Sequence, residues 1–300
     1  MNMNILVIKK MNKYKSELLL ALAAFIWGIA FVAQSVSMDH IGPWTFTCIR
    51  NLIAAATLYI LLPVLDKITD NKEGHFDKRV IVGGIACGIA LAIASMFQQT
   101  GIQYTSVGKA GFLTALYTVI VPIFSLFLGR KSKWNVYVAV LISIIGMYFL
   151  CVNEDFSIAY GDTLVLICAV MFAIHILVID HFGKDNDGIR MSCIQFLVSG
   201  LFCMVPMFVL EHPNFSNILQ AAIPILYAGI LSSGAGYTLQ IVGQKNADPN
   251  IAGMILSLES VFAALAGALL LGEMLSMKEL IGCILVFGAI ILSQIEFKKK

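Results

Sequence analysis

Two ionisable side chains lie well inside long apolar stretches of this chain, Arg50 and Glu259. A charged group at such a depth is costly unless it faces a protein interior or water, so both are candidates for binding or coupling. A carboxyl group at Glu259 could exchange a proton or bind an amine, whereas a guanidinium at Arg50 could bind a carboxylate with two hydrogen bonds. The alternative for each residue is a structural hydrogen bond or ion pair between helices.

Polar and aromatic residues in other apolar stretches extend the set of candidates. The amides Gln98 and Gln240 end two stretches, where they could line a wet cavity or join helices. His175 could titrate, or it could be a hydrogen-bonded core histidine. Flat aromatic side chains could wall a small-molecule site, although such residues also pack helices together. The aromatic candidates are Trp27, Phe31, Tyr117, Tyr237 and Phe262.

Patterns typical of enzymes and metal sites are absent from the sequence. It has no H-E-x-x-H, no G-x-S-x-G and no Walker A loop, and Asp162 and Asp180 lie at opposite ends of one predicted helix. The seven cysteines are odd in number and include no C-x-x-C pair, which argues against a disulfide framework or a zinc site. We therefore predict no catalytic residue, metal or cofactor, and an intramembrane enzyme is a distant alternative.

The elements that must position these residues are membrane-spanning helices. Hydrophobic residues make up 59% of the chain and charged residues only 13%, with a mean hydropathy of +0.87, whereas soluble domains are about a quarter charged. A span needs about 20 apolar residues, and a chain in lipid must satisfy its backbone amides internally. The sequence predicts an all-α integral membrane protein with ten transmembrane helices. These are Leu18 to Val36, Pro43 to Leu65, Val80 to Gln98, Val107 to Leu128, Trp134 to Val152, Gly161 to Ile179, Met191 to Leu210, Leu219 to Val242, Ile251 to Leu271 and Met277 to Ile295.

Basic residues predict the orientation of these spans. Of the 20 Lys and Arg residues, 17 fall in segments on one side, only Lys109 and Lys278 fall on the other, and Arg50 lies inside a span. Because short cytoplasmic loops carry the excess of positive charge, both termini are predicted to be cytoplasmic. The net charge of +2 is too weak and dispersed to indicate a nucleic-acid partner.

The sequence also repeats itself. Ala110-Gly111-Phe112 matches Ala252-Gly253-Met254 at an offset of 142 positions, and the same offset pairs Tyr117 with Glu259. Each half then holds five spans, and an odd number predicts that the halves are inverted relative to each other. We expect a segment 1–16, a first repeat 17–152, an outer linker 153–160, a second repeat 161–296 and a basic tail 297–300.

The chain resembles the EamA family of the drug/metabolite transporter superfamily from about Leu18 to Ile295. The resemblance rests on short motifs in order, including Trp27-Gly28, Arg50, Ala110-Gly111-Phe112-Leu113-Thr114, Val121-Pro122, Gly161-Asp162, Ser257-Leu258-Glu259 and Leu271-Gly272-Glu273. It implies transport, commonly export, of amino acids or other small metabolites across a cytoplasmic cell membrane. It does not identify the substrate.

These observations predict a secondary transporter that works by alternating access. Spans one to four and six to nine would line a central cavity, and spans five and ten would be peripheral. The expected partners are a small-molecule solute, the lipid bilayer, protons as a coupling ion and a second copy of the chain in a homodimer. An uncoupled facilitator and a broad exporter of drugs or amines are the alternatives.

Overall fold

The computed structural model describes residues 3–69, 74–127, 134–151, 157–183, 187–244 and 255–295. Helices fill almost all of these ranges, as expected of apolar sequence that must satisfy its backbone amides internally. The α-helices are α1 (Met3–Ser37), α2 (Pro43–Thr69), α3 (Lys78–Ile102), α4 (Val107–Ala115), α5 (Tyr117–Phe127), α6 (Trp134–Cys151), α7 (Tyr160–Gly183), α8 (Gly188–Pro206), α9 (Phe215–Gln220), α10 (Ala222–Leu226), α11 (Tyr237–Gln244), α12 (Leu258–Ala266) and α13 (Met277–Gln294). Three π-helical segments extend them, at Met207–Glu211, Tyr227–Gly236 and Gly267–Leu271.

Eight helices in the described ranges are long and apolar enough to cross a membrane. The ninth predicted span is represented by a shorter apolar helix, Leu258–Leu271, which begins after a turn at Ser257, and residues 251–254 lie outside the described ranges. The tenth corresponds to the 18-residue helix α13. The chain is thus a multi-pass helical membrane protein, while the count of ten spans stays a prediction.

The fourth predicted span is broken in its middle. Helix α4 ends at Ala115 and α5 begins at Tyr117, with Leu116 in a turn between them. Pro122 has no amide hydrogen, so it cannot donate to the carbonyl of Thr118 one turn earlier, which weakens the helix here. The Thr118 hydroxyl donates to the Ala115 carbonyl (2.8 Å) across the break. The break sets the direction of Tyr117, the first residue of α5.

A second break precedes α12. The chain turns at Ser257, whose carbonyl accepts hydrogen bonds from the Ser260 amide (3.2 Å) and the Ser260 hydroxyl (2.8 Å). Glu259 is the second residue of the helix that follows. Tyr117 and Glu259 therefore both lie within two residues of an interruption between helices.

Glycines allow the helices to approach closely. A Cβ atom at Gly84 would lie 2.5 Å from Cβ of Ile194, and one at Gly88 would lie 2.7 Å from Cβ of Val198. The G-x-x-x-G pattern of α3 is thus a packing surface for α8, as small residues at this spacing predict.

Helix α3 runs four residues beyond the predicted end of its span, to Ile102. The extension stays helical because it is buried against α7: a Cβ atom at Gly101 would lie 2.6 Å from Cγ2 of Val165. The sequence predicted Gln98 at the end of its span. In the structure Gln98 lies inside the helix.

The packing of helices follows a regular scheme. Helix α2 packs on α8, α6 on α13, and α4 on α12. Helix α3 packs on α7, and α1 packs on α11 and on the π-helical segment before it. Helices α4 and α5 pack on α7, just as α12 packs on α1. A large apolar cluster at the contact of α4 with α12 includes Val107, Leu113 and Ala263.

Candidate functional site

One cavity of about 190 Å³ lies among the helices. A single water molecule needs a cavity volume of about 10–15 Å³ on this measure. The cavity can therefore hold several waters or a solute the size of an amino acid. Its lining comes from α1 to α5, α7, α8, α11, α12 and the π-helical segment Tyr227–Gly236. No residue of the described parts of α6 or α13 contributes to the lining.

All nine residues proposed as a binding or coupling set line this cavity. They are Trp27, Phe31, Arg50, Gln98, Tyr117, His175, Tyr237, Gln240 and Glu259. Phe262, the additional aromatic candidate, is not part of the lining and instead packs edge-to-face on Phe25 with ring centroids 5.4 Å apart. The structure therefore collects side chains from distant parts of the sequence around one space.

Glu259 contacts Tyr117 across the cavity wall. The Tyr117 hydroxyl donates to Oε1 of Glu259 at 3.3 Å, and Glu259 is only 7% exposed. This bond joins the two residues that follow the breaks in α4–α5 and before α12. A single long hydrogen bond leaves the carboxyl group capacity for a further partner, such as a proton or a donor on a solute.

Arg50 is buried, and none of the described residues gives it an acidic partner. Its Nη1 donates to the amide oxygen of Gln34 at 3.1 Å, and its guanidinium lies 5.1 Å from the ring centroid of Phe46. In the described part of the chain Nε has no hydrogen-bond partner, and no carboxylate forms an ion pair with Arg50. The N–H groups of a buried guanidinium normally have hydrogen-bond acceptors. Arg50 can therefore bind an anion that enters the cavity.

The amides take different partners. Gln98 donates to the Thr114 hydroxyl at 3.2 Å, a bond between α3 and α4. Gln240 is partly buried in α11 and lines the cavity. Gln98 thus combines the two functions considered from the sequence, since it joins helices and also borders the cavity.

His175 has a hydrogen-bonded neighbour as well as a place on the cavity wall. Its Nε2 lies 3.1 Å from Oε1 of Gln195, and the residue is 3% exposed. The distance indicates one hydrogen bond, in which the neutral tautomer protonated at Nε2 would be the donor.

Aromatic rings form part of the cavity wall, in two groups of contacting rings. Tyr237 packs edge-to-face on Trp27 and on Phe196, with centroids 5.3 Å and 5.2 Å apart. The indole Nε1 of Trp27 donates to the carbonyl of Ser232 at 2.9 Å, which fixes the ring against the π-helical segment. Phe172 lies between Tyr117 and His175, at centroid distances of 6.4 Å and 6.2 Å. Such a wall suits the flat or apolar part of a small molecule.

Several lining residues were not identified from the sequence. Gln34 is the partner of Arg50, and its backbone carbonyl also accepts a bond from Gln99 at 3.0 Å. Asn51 lines the cavity and donates to the Ser199 hydroxyl at 2.8 Å. Amides within apolar spans are the signal that would have found Gln34 and Asn51, while nothing in the sequence separates Ser95 from other small helix residues.

Other polar groups lie away from the cavity. Lys109 pairs with Asp162 at 2.8 Å, and the Thr105 hydroxyl also donates to this buried carboxylate. Glu279 lies 3.5 Å from the same ammonium group. Among the described residues no group of three or more His, Cys, Asp or Glu side chains is arranged to hold a metal ion.

Comparisons with known proteins identify relatives along most of the chain. The sequence model described as "EamA-like transporter family" matches residues 14–152 and 159–294. An uncharacterized transporter of Archaeoglobus fulgidus is 30% identical over 92% of this chain and 85% of its own length. The uncharacterized transporter YoaV of Bacillus subtilis is 24% identical over 92% of this chain and 95% of its own. A solved crystal structure at 17% identity superposes with a TM-score of 0.65 over 92% of this chain and 95% of that one, which shows a shared fold.

Proposed function

The chain belongs to the EamA-like transporter family, so it is a membrane transporter and not an enzyme, and we propose that it is a secondary transporter of small metabolites. Amino acids or related compounds are the proposed solutes, and export is the proposed direction. The observation that supports this proposal is the cavity. Its lining includes a basic side chain, Arg50, an acidic side chain, Glu259, and several aromatic rings.

The proposed binding mode follows from the partners of these groups. Arg50 has an unpaired Nε and no acidic partner among the described residues, so it would bind a carboxylate. Glu259 is held by one long bond from Tyr117 and would bind either a proton or the amine of the solute. The rings of Trp27 and Tyr237 would contact the apolar part.

Two inverted repeats of five spans, 17–152 and 161–296, are the proposed architecture. The family model matches two successive segments of similar length, which supports two repeat units. The packing supports the same division, because the contact of α3 with α7 has a counterpart in that of α1 with α11. Inverted repeats place a solute site near the middle of the membrane at the interface of the halves, where the cavity lining draws on both segments.

Alternating access would be produced by rocking of the two halves around this cavity. The proposed location is the cytoplasmic cell membrane with both termini inside, since the basic residues are concentrated on that side. Helices α6 and α13 pack on each other away from the cavity, and their exposed apolar residues, such as Leu141 and Ile284, offer a surface for a homodimer. The molar mass of the protein in detergent checks the homodimer.

The experiment that tests the function is solute uptake into liposomes containing the purified protein. The panel compares amino acids with amines that lack the carboxylate and acids that lack the amine, with and without a pH gradient. We expect amino acids to accumulate only with the gradient, and Glu259→Gln to abolish accumulation because an amide cannot release a proton. The control is Glu279→Gln, which removes a carboxylate outside the cavity and should transport like the wild type.

Two other outcomes would change the proposal. Equal final concentrations inside and outside, with Glu259→Gln as active as the wild type, would identify an uncoupled facilitator. Preferential uptake of amines without a carboxylate would favour the broad drug or amine exporter. Absence of uptake of every solute on the panel, by protein that is folded and reconstituted, would argue against the proposed solute class.

A further inference from the structure

Helices α2 and α8 run antiparallel and are joined by a carboxylate at each end. At one end Asp66, near the end of α2, binds Arg190 in the first turn of α8 with two hydrogen bonds, at 2.9 Å to Nη1 and 2.8 Å to Nη2. At the other end Glu211 follows α8 and accepts from the backbone amides of Trp44 (2.8 Å) and Thr45 (2.7 Å) and from the Thr45 hydroxyl (2.7 Å). Each carboxylate therefore holds the first turn of the opposite helix.

The two contacts occupy equivalent places in the sequence. Thr45 and Arg190 are 145 positions apart, and so are Asp66 and Glu211. The same spacing relates Trp27 to Phe172, two residues of the cavity wall. A carboxylate thus joins α2 to α8 at each end of the pair. At one end it binds an arginine side chain, and at the other it binds the N-terminus of α2.

The surroundings of each contact are fitted to it. At the first end Asp187 is a second carboxylate partner of Arg190, and the guanidinium lies 5.8 Å from the ring centroid of Phe76. At the second end a Cβ atom on Gly42 would lie 2.2 Å from the carboxyl carbon of Glu211, so a side chain at this position would displace the carboxylate. The negative charge of Glu211 is also favourable at the positive end of the α2 dipole.

Between its ends the helix pair is in close contact. A Cβ atom on Gly200 would lie 2.8 Å from the side chain of Leu52, so the two helices touch near the middle of α8. An apolar cluster continues from Leu91 and Phe196 on the cavity wall to Ile189, the neighbour of Arg190. Separation of α2 from α8 at this end would therefore open a path between the ion pair and the cavity.

We propose that these contacts are the two gates of the transport cycle: the Asp66 gate (Asp66 with Arg190) and the Glu211 gate (Glu211 with Trp44 and Thr45). This inference rests on the proposed transport function. Helices that touch midway can separate at one end while the other end stays closed, so breaking one gate exposes the cavity to one side only. The Asp66 gate pairs two full charges and is the stronger, which favours a resting protein that opens at the Glu211 end.

The test measures access to the cavity from each side of the membrane. Ser232, which lines the cavity, is changed to cysteine, and labelling by a membrane-impermeant maleimide is measured in intact cells and in inside-out vesicles. The parent chain, whose seven cysteines are buried, provides the blank. We expect Asp66→Asn to increase labelling from one side about tenfold, the factor that loss of a charged hydrogen-bonded pair can produce in a two-state equilibrium.

The second gate must respond in the opposite sense. Glu211→Gln should increase labelling from the other side, by a smaller factor because a neutral amide oxygen can still accept from the backbone. The exchanged pair, Asp66→Arg with Arg190→Asp, should restore labelling toward the wild-type pattern and separates loss of the gate from loss of folding. Glu279→Gln, on the peripheral helix α13, should leave labelling from both sides unchanged.

Contrary results are distinct for the two proposals. The gate proposal would be overturned if labelling rose from the same side in both gate variants, or if it rose in neither variant. This holds even when uptake by the wild type is normal. A cysteine at position 232 that is never labelled from either side, in protein that moves no solute, would instead count against the transport cavity itself.

Discussion

The proposed solute binding of this transporter rests on a few polar side chains whose partners are incomplete among the described residues. Arg50 is bound to Gln34 and Phe46 but keeps a free Nε in the described part of the chain, and Glu259 has only the long bond from Tyr117. Away from the cavity, the buried carboxylate of Asp162 pairs directly with the ammonium group of Lys109. A buried group that is incompletely paired and also lines the cavity is proposed to bind a solute, whereas one away from the cavity, such as Asn135, joins helices.

Replacement of Arg50 tests this distinction at the residue scale. Arg50→Gln should raise the KM for solutes with a carboxylate about ten- to a hundredfold, since hydrogen bonds to a charged group contribute about 1.5–3 kcal/mol. Arg50→Lys should have an intermediate effect because it keeps the charge and loses the planar fork. Competition of labelled amino-acid uptake by unlabelled analogues measures the change. Unchanged amino-acid transport by Arg50→Gln would assign Arg50 to structure.

Interruptions of regular helix are the main feature at the scale of elements. Tyr117 and Glu259 follow breaks, and the carbonyl of Ser232, in a π-helical segment, accepts the bond from Trp27. Wide or broken turns leave backbone groups free to bind side chains and solutes, and they often occur at functional sites. The small residues around Ser232 leave room for the indole ring to approach the backbone of this segment.

Gly236 tests the fit of that segment against the ring. A Cβ atom there would lie 2.5 Å from Nε1 of Trp27, so Gly236→Ala should displace the ring, break its bond to Ser232 and destabilise the protein by about 1–3 kcal/mol. Transport should fall as well, because Trp27 lines the cavity. Thermal unfolding in detergent and uptake measure the two effects.

Gly288→Ala in α13 is the matched control for this substitution. A Cβ atom at Gly288 meets nothing within 4 Å, and alanine favours helix over glycine by about 1 kcal/mol, so this variant should be neutral or more stable. Equal behaviour of the two variants would show that the approach of Gly236 to Trp27 is not tight in solution.

In the whole molecule the helix pair α6 with α13 lies outside the cavity lining, although its inner side shares an apolar cluster with α4 and α12. Asn135 joins this pair: its side-chain amide lies 2.7 Å from the carbonyl of Leu292 and 3.1 Å from that of Ile295. Asn135 is fully buried, so the carbonyls at the end of α13 obtain a donor that lipid cannot supply. The described part of this pair therefore contributes stability without lining the cavity.

Asn135→Ala should reveal this division. Loss of the buried donor should lower the free energy of unfolding by about 1–3 kcal/mol, while the KM of the folded fraction stays at its wild-type value. Thermal unfolding and uptake, normalised to the amount of folded protein, distinguish the two quantities. A large change in KM would show that α6 and α13 are coupled to the cavity after all.

The sequence by itself determined the membrane class, the positions of the apolar helices and the set of polar residues worth attention. These properties follow from local composition, because a helix in lipid must be apolar over its length and any ionisable group within it is an exception. The nine candidates from Trp27 to Glu259 could therefore be chosen without a structure, and the family was apparent from short motifs. Gln34 and Asn51 could have been chosen by the same rule.

Only the tertiary structure decided which of these residues are partners. The bond of Arg50 to Gln34, the approach of Trp27 to Ser232 and the two contacts between α2 and α8 depend on which helix faces meet. Periodicity states which residues share a face of one helix, but it contains no information about the helix opposite. Asp66 and Glu211 lie at the ends of predicted spans, where a charged residue is common and does not by itself indicate a function. Only the packing shows that each one contacts the first turn of the other helix.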